Sequence, residues 1–377
     1  MKINLTLLGG LSVDKFLREY WQKKPLLIRQ AIPGFNGLLD PAQLAELACN
    51  PEAQSRLVQF KRNKWHLQHG PFDEQSLDSL GKSGWTLLVQ GINHFLPGAA
   101  DLLQQFSFIP HSRLDDLMVS YAPKNGGVGP HFDSYDVFLL QGMGHRRWQI
   151  SAQQDRTLIP DAPLRILQNF SPEEDWILEP GDMLYLPPHW AHNGIAQDNC
   201  MTYSIGFRTP SYHELGEQFL VYLQDHLKLD GMYADPDLKP QAHPSEISAD
   251  MLQQVKAVIQ KIRWNDTDIA RFLGTYMSEP KPHVYFDPPD NPMSHKRFIQ
   301  SLDKSGIRLD LKSLMLCHDN CAFINGEAHD LDTPDIAAIR LLADTRQFPA
   351  HSQLSSTATD MLYAWYQEGF LVFPGKK

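Results

Sequence analysis

Hydrophobic and polar positions divide the chain into three textures. Residues 14–21 (DKFLREYW) carry helical spacing with Asp14 as the expected N-cap, and KKPLLIRQ reads as a strand entered through Pro25. Residues 40–49 (DPAQLAELAC) predict a helix capped by Asp40 with Pro41 in its first turn. From about 113 to 208 the period falls to two. The runs DLMVSYA, HFDSYDVFLLQ, RRWQI, WILEP, MLYLPP and MTYSIGF alternate with the turns NGGVGP, GMG and EPGD. Many short strands with tight turns predict an antiparallel sandwich or barrel.

After Pro210 the helical period returns. Residues 213–227 set Leu215, Phe219, Tyr222, Leu223 and Leu227 on one stripe. A connector rich in Pro and Asp covers 234–245, and a second helical pattern starts at Ser248 with Leu252, Val255, Ile259 and Ile262. Beyond the Pro-rich stretch 280–292 the pattern is helix, a hairpin around Asn325-Gly326, helices at 334–344 and 359–368, and a last strand FLVF. Helices with a small hairpin predict a winged-helix-like unit. The expected division is therefore 1–210, 211–280 and 281–377.

Composition narrows the class. The chain has 377 residues, 42% hydrophobic and 21% charged, with a net charge of −10. That is an ordinary globular balance with no basic footprint for nucleic acid or an anionic membrane. The last unit, 281–377, holds 10 Lys and Arg against 12 Asp and Glu, which argues against DNA binding there. Four cysteines in this length do not make a disulfide framework. Cys317 and Cys321 flank His318 and read either as structural thiols or as half a zinc site. The N-terminal run MKINLTLLGG is short, holds two glycines and lacks a cleavage signature, and no span is long enough for a bilayer. The expected setting is the cytoplasm.

The chemistry concentrates in two places. On a strand through HFDSYDVFLLQ, alternation puts His131, Asp133, Tyr135, Val137 and Leu139 on one face. His131 and Asp133 could reach one metal ion. EPGDMLYLPPHWAHNG then offers His189 and His192 as a third ligand. Two imidazoles and one carboxylate leave open positions, as in non-haem iron(II) oxygenases. On the next strand Arg146, Trp148 and Ile150 share a face, and Arg147 lies on the other. An inward arginine needs an anion, either an internal Asp or Glu or a bound carboxylate.

These segments, NGGVGPHFDSYDVFLLQGMGHRRWQI and LEPGDMLYLPPHWAHNG, resemble the core of a Jumonji-C domain, and FLREYWQKKPLLIR resembles the N-terminal segment of the bacterial ribosomal oxygenases. The resemblance implies an α+β chain: a double-stranded β-helix (jelly-roll, cupin) barrel, a helical dimerisation region and a winged-helix-like end. It implies iron(II) on His131, Asp133 and His192, the last from the W-x-H pattern. 2-Oxoglutarate would be the cosubstrate, with Arg146 on its distal carboxylate. Ser204 resembles a hydroxyl position that helps bind it, although Thr202 shares its face. Relatives can also use a hydroxyl on the strand before NGGVGP, where this chain has Ser120, Tyr121 and Ala122. The implied activity is hydroxylation, with dioxygen, of an arginine in a large-subunit ribosomal protein, the sixteenth of that subunit, by a homodimer. A cupin isomerase would not require an inward Arg146, and a silent scaffold would not require the full ligand set.

Overall fold

Two antiparallel sheets facing each other form the centre of the molecule. The computed structural model describes residues 5–375, so the first four residues of the MKINLTLLGG run lie outside it. A 3-10 turn at Leu5–Leu8 leads to helix α1 (Val13–Glu19). Its cap is Ser12, whose Oγ accepts the Lys15 N–H at 3.2 Å. Asp14, expected as the cap, sits in the first turn instead, where its charge complements the helix dipole. After strand β1 (Leu26–Ile28), α2 (Pro41–Cys49) begins with the expected Asp40 cap, closed into a capping box by Gln43.

Strands β2 (Ser55–Lys61), β3 (Lys64–His69) and β4 (Trp85–Val89) follow, with short helix α3 (Glu74–Asp78) between the last two and α4 (Pro97–Gln104) after them. The barrel run supplies β5 (Leu114–Ala122), β6 (His131–Phe132), β7 (Val137–Gln141), β8 (Arg146–Ser151), β9 (Glu174–Leu178), β10 (Met183–Leu186), β11 (Ala191–Ala196) and β12 (Cys200–Phe207). The large sheet runs β1-β10-β7-β12-β5-β4-β2-β3, and the small one β6-β11-β8-β9.

The large sheet is covered on both faces. Phe16, Leu44 and Leu102 from the helices pack on Phe138, Leu140, Tyr185 and Tyr203 on one side. Val137, Leu139, Leu184 and Leu186 on the other side meet Trp148, Ile150 and Leu178 of the small sheet. Double coverage explains why VFLL and MLYL are apolar at every position rather than at alternate ones.

HFDSYDVFLLQ is not one strand. It breaks after Phe132 and crosses from the small sheet to the large one as β7. Asp136 pins the corner: it is buried and accepts the Tyr185 hydroxyl at 2.6 Å and Gln22 Nε2 at 2.9 Å, with Arg113 at 3.5 Å.

Helices α5 (Tyr212–His226), α6 (Ala249–Ile259) and α7 (Asp266–Ser278) follow. The stripe expected on α5 is largely used inside the chain: Phe219 lies edge-on to Phe272 with ring centroids 5.2 Å apart, and Leu223 is buried. The large hydrophobic residues that α5 leaves outside are Tyr212, Leu220 and Val221, and α6 adds Leu252, Val258 and Ile259 without burying any of its own residues.

The C-terminal part holds α8 (His295–Ser305), β13 (Ile307–Leu309), β14 (Met315–His318), β15 (Cys321–Ile324), β16 (Glu327–Asp330), α9 (Thr333–Thr345), β17 (Gln347–Phe348), α10 (Ser356–Gln367) and β18 (Leu371–Val372). Its core joins Phe298, Ile307, Ile339, Leu362 and Trp365. The predicted turn at Asn325-Gly326 is present, both residues at positive φ (49° and 91°), as a tight hairpin requires. The winged-helix-like arrangement is as expected. Cys317, His318 and Cys321 sit in this hairpin without gathering into a metal-holding group among the described residues.

Candidate metal centre

A cavity of about 390 Å³ opens between the two sheets. Despite the broken strand, His131, Asp133, Tyr135, Val137 and Leu139 all line it, because two-residue alternation carries across the corner. β11 pairs with β6 so that His192 stands directly opposite His131. Donor atoms of His131, Asp133 and His192 lie within 4.8 Å of one another. His131 Nε2 is 3.8 Å from Asp133 Oδ1, and His192 Nε2 is 3.5 Å from Oδ2. Among the described residues this is the one group of three or more side chains that could hold a metal ion.

The imidazoles are oriented for ligation. His131 Nδ1 lies 2.9 Å from the Gly129 carbonyl, and His192 Nδ1 lies 3.0 Å from the Trp190 carbonyl. A carbonyl can only accept, so each Nδ1 carries its proton and each Nε2 keeps a lone pair facing Asp133. Burial, and next the neighbouring His131, push the pKa of His192 down to about 4, which keeps it neutral as a ligand must be. His189 points elsewhere: it is exposed, its φ is 69°, and its N–H donates to the Asp133 carbonyl at 2.9 Å. Of the two candidate histidines, only His192 joins the group.

Arg146 and Arg147 part company as alternation requires. Arg147 points outward and pairs with Asp175. Arg146 is 5% exposed and lines the cavity, with Nη1 donating to Ser120 Oγ at 3.2 Å. Among the described residues its Nε and Nη2 are buried without a hydrogen-bond partner, and the guanidinium lies 5.7 Å from the Trp148 ring. An unpaired buried guanidinium is costly, so the internal Asp or Glu alternative fails and a ligand carboxylate fits. Gly194, opposite Trp148 on β11, gives this wall its shape: a Cβ there would fall 2.7 Å from the indole. Ser204 also lines the cavity, while Thr202 turns its hydroxyl to Gln141 Oε1 at 3.0 Å.

Two groups escaped the sequence reading. Where the sequence reading set Ala122 in that stretch, which offers no hydroxyl, Ser120 two residues before it is the hydroxyl that meets Arg146. Asp115 and Asp116 line the cavity as well. Counting back by two along β5 from Ser120 reaches Met118 and Asp116, so alternation held that signal.

Comparison with known proteins bears on the family. A JmjC domain model matches residues 101–215, and a ROXA-like winged-helix model matches 261–372. The ribosomal protein uL16 3-hydroxylase of Escherichia coli is 34% identical over 375 residues, covering 97% of this chain and 98% of the relative. The chain belongs to the JmjC family of ribosomal oxygenases. A probable ribosomal oxygenase of Haemophilus influenzae is 41% identical over 232 residues, 60% of this chain and 55% of that one. The structure of YcfD, a ribosomal oxygenase from Escherichia coli, in complex with cobalt and 2-oxoglutarate superposes with a TM-score of 0.82. It is 32% identical and covers 97% of this chain and 99% of that one. The fold is thus a JmjC cupin core with helices and a C-terminal winged helix, and the enzyme class is 2-oxoglutarate-dependent oxygenase, with a metal and 2-oxoglutarate as its requirements. No helix among the described residues is long and apolar enough to cross a membrane.

Proposed function

We propose that this oxygenase uses iron(II) and 2-oxoglutarate to hydroxylate an arginine side chain of a large-subunit ribosomal protein, the sixteenth of that subunit. The observation that carries the reading is the preset ligand trio His131, Asp133 and His192 in one cavity with the unpaired guanidinium of Arg146. Two imidazoles and one carboxylate suit iron(II) in an open site. When bound, iron(II), 2-oxoglutarate and dioxygen supply the oxidative decarboxylation to succinate and carbon dioxide that places the second oxygen atom on a C–H bond.

The chain's own residues supply position. His131, Asp133 and His192 hold the metal. Arg146, braced by Ser120 from the facing sheet, where Ser204 also lines the cavity, takes the distal carboxylate of 2-oxoglutarate. Leu139, Val137 and Trp148 keep that region dry. Asp115 and Asp116, further along the strand of Ser120, give the cavity the sign that a guanidinium would meet, and the net charge of −10 suits a basic protein partner. The name of the Escherichia coli relative supports the ribosomal target.

Three further parts of the proposal concern the whole molecule. The division into 1–210, 211–280 and 281–377 assigns oxygenase, helical and winged-helix-like parts, although α7 also packs on the C-terminal hairpin: a Cβ on Gly274 would fall 2.5 Å from the Phe323 ring. The exposed apolar face of α5 and α6 supports a homodimer through the helical part. The setting is the cytoplasm, where ribosomal proteins are made. The test is to incubate the purified chain with iron(II), 2-oxoglutarate and ribosomal proteins. The expected result is a gain of about 16 Da, one oxygen atom, on an arginine of one large-subunit protein. Succinate formation without that mass gain would overturn the substrate assignment.

A further inference from the structure

The acidic wall of the cavity is held from behind by a residue of another part of the chain. Lys281 lies just past α7, in the segment that leads into α8. Its Nζ is 2.9 Å from Asp115 Oδ1 and 3.6 Å from Asp116 Oδ2. Both carboxylates line the cavity, and Lys281 is not among its lining residues. Asp116 is 7% exposed, whereas the Lys281 side chain keeps 39% of its surface in solvent. The ammonium thus pairs with both carboxylates without itself lining the cavity.

The segment carrying Lys281 is fixed at both ends. Arg208, just after β12, donates to the Met277 carbonyl at 2.8 Å. Lys312 donates to the Tyr285 carbonyl at 2.7 Å and to Asp287 at 3.0 Å, and reaches Glu52 beside β2 at 3.5 Å. The position of the ammonium is thus set jointly by the barrel and the C-terminal part.

Two adjacent carboxylates with one ammonium leave this cluster one net negative charge, and Arg56 is a further cation lining the cavity. Burial raises the Asp116 carboxyl above its ordinary range, and the strongest opposing influence is Lys281. Without the ammonium, two like charges would stand side by side with one of them buried, and the pKa of the buried one would rise further.

We propose that Lys281 is a positioning residue through which the C-terminal part of the chain keeps the Asp116 carboxylate anionic and aimed into the cavity, where it receives a cationic side chain of the substrate. This rests on the reading that the substrate presents an arginine. Lys281 touches neither the metal ligands nor Arg146, so its loss acts on capture of the substrate and not on the cosubstrate.

The experiment compares wild type, Lys281→Ala, Lys281→Arg and Lys281→Ala with Asp115→Asn. The probe is an arginine-containing peptide of uL16, read by mass gain, and 2-oxoglutarate affinity is read separately by calorimetry on the manganese-loaded protein. Lys281→Ala should raise KM for the peptide roughly tenfold or more, with kcat and the 2-oxoglutarate Kd within about twofold. Lys281→Arg should restore KM. Asp115→Asn in the Lys281→Ala background should restore part of it, because it removes the repelling charge. An unchanged KM overturns the proposal. So does a lowered one, which would make Lys281 a competitor of the substrate, or an equal loss in 2-oxoglutarate affinity. If Lys281→Ala proves unfolded, Lys281→Gln against Lys281→Arg carries the same comparison. If wild type itself leaves the peptide unmodified, the arginine reading falls, and this inference falls with it.

Discussion

Two cavities in this chain differ in size and in what their walls lack. The larger, about 1320 Å³, lies between the barrel, α5, α7 and the C-terminal hairpin. Its polar groups are provided for: His111 meets Ser107 at 2.9 Å, Arg113 donates to the Arg208 carbonyl and Arg340 to the Asp319 carbonyl. The smaller, about 390 Å³, contains Arg146 with two buried unpaired nitrogens and three metal-ready side chains aimed at one point. The larger cavity is a gap where the barrel, α5, α7 and the C-terminal hairpin meet. The smaller one carries a cost in unpaired polar groups that a bound ligand would relieve. Unsatisfied chemistry, and not volume, marks the site.

The comparison breaks most sharply at the ligands. His131→Ala, Asp133→Ala and His192→Ala should each abolish 2-oxoglutarate turnover while circular dichroism shows an intact fold, and His189→Ala should not. Activity surviving His192→Ala but lost in His189→Ala would reverse the assignment.

Next is the arginine pair. Arg146→Ala should weaken 2-oxoglutarate binding roughly 100-fold, since losing one partner of a buried charge-assisted contact costs about 3 kcal/mol. Arg147→Ala, on the solvent side, should change it by less than about twofold. Equal effects, measured by calorimetry, would mean that strand alternation does not separate the two.

The alternation behind those predictions was legible in the sequence; the strand was not. HFDSYDVFLLQ carries one face of polar-to-apolar residues, yet the chain crosses between sheets at Asp133–Asp136, a change set by Tyr185, Gln22 and Arg113 from distant parts of the chain. Strands β2 to β4 went unpredicted: β2 and β3 form a local hairpin with Lys61 opposite Lys64, and the pairings of β4 with β2 and β5, which extend the large sheet beyond the barrel run, are long-range. On α5, spacing identified the apolar stripe correctly but not its partner. Phe219 and Leu223 face the chain's own α7 side, so the surface left for a second copy is Leu220 and Val221 with α6.

That surface gives the third prediction. Leu220→Asp with Ile259→Asp should turn a dimer into a folded monomer by light scattering, with a smaller loss in protein hydroxylation than any ligand variant. A wild type that is monomeric at micromolar concentration would remove the dimer, and a mutant that stays dimeric would move the interface elsewhere.

The smallest effect is expected in the larger cavity. Arg340→Ala should leave the 2-oxoglutarate Kd and turnover within about twofold of wild type, because its donor meets a backbone carbonyl at the protein surface. A tenfold loss in turnover from that change would make the larger cavity part of the reaction.

The most direct measurement is an anaerobic titration of 2-oxoglutarate into the iron(II)-loaded protein, following the visible charge-transfer absorption that arises when a 2-oxo acid chelates iron(II). Wild type should develop the band to saturation at one equivalent of metal, Arg146→Ala only at far higher 2-oxoglutarate, and Asp133→Ala not at all. A wild-type chain that binds iron(II) but never develops the band, or an Asp133→Ala chain that develops it fully, would contradict the assignment of His131, Asp133, His192 and Arg146 to one site.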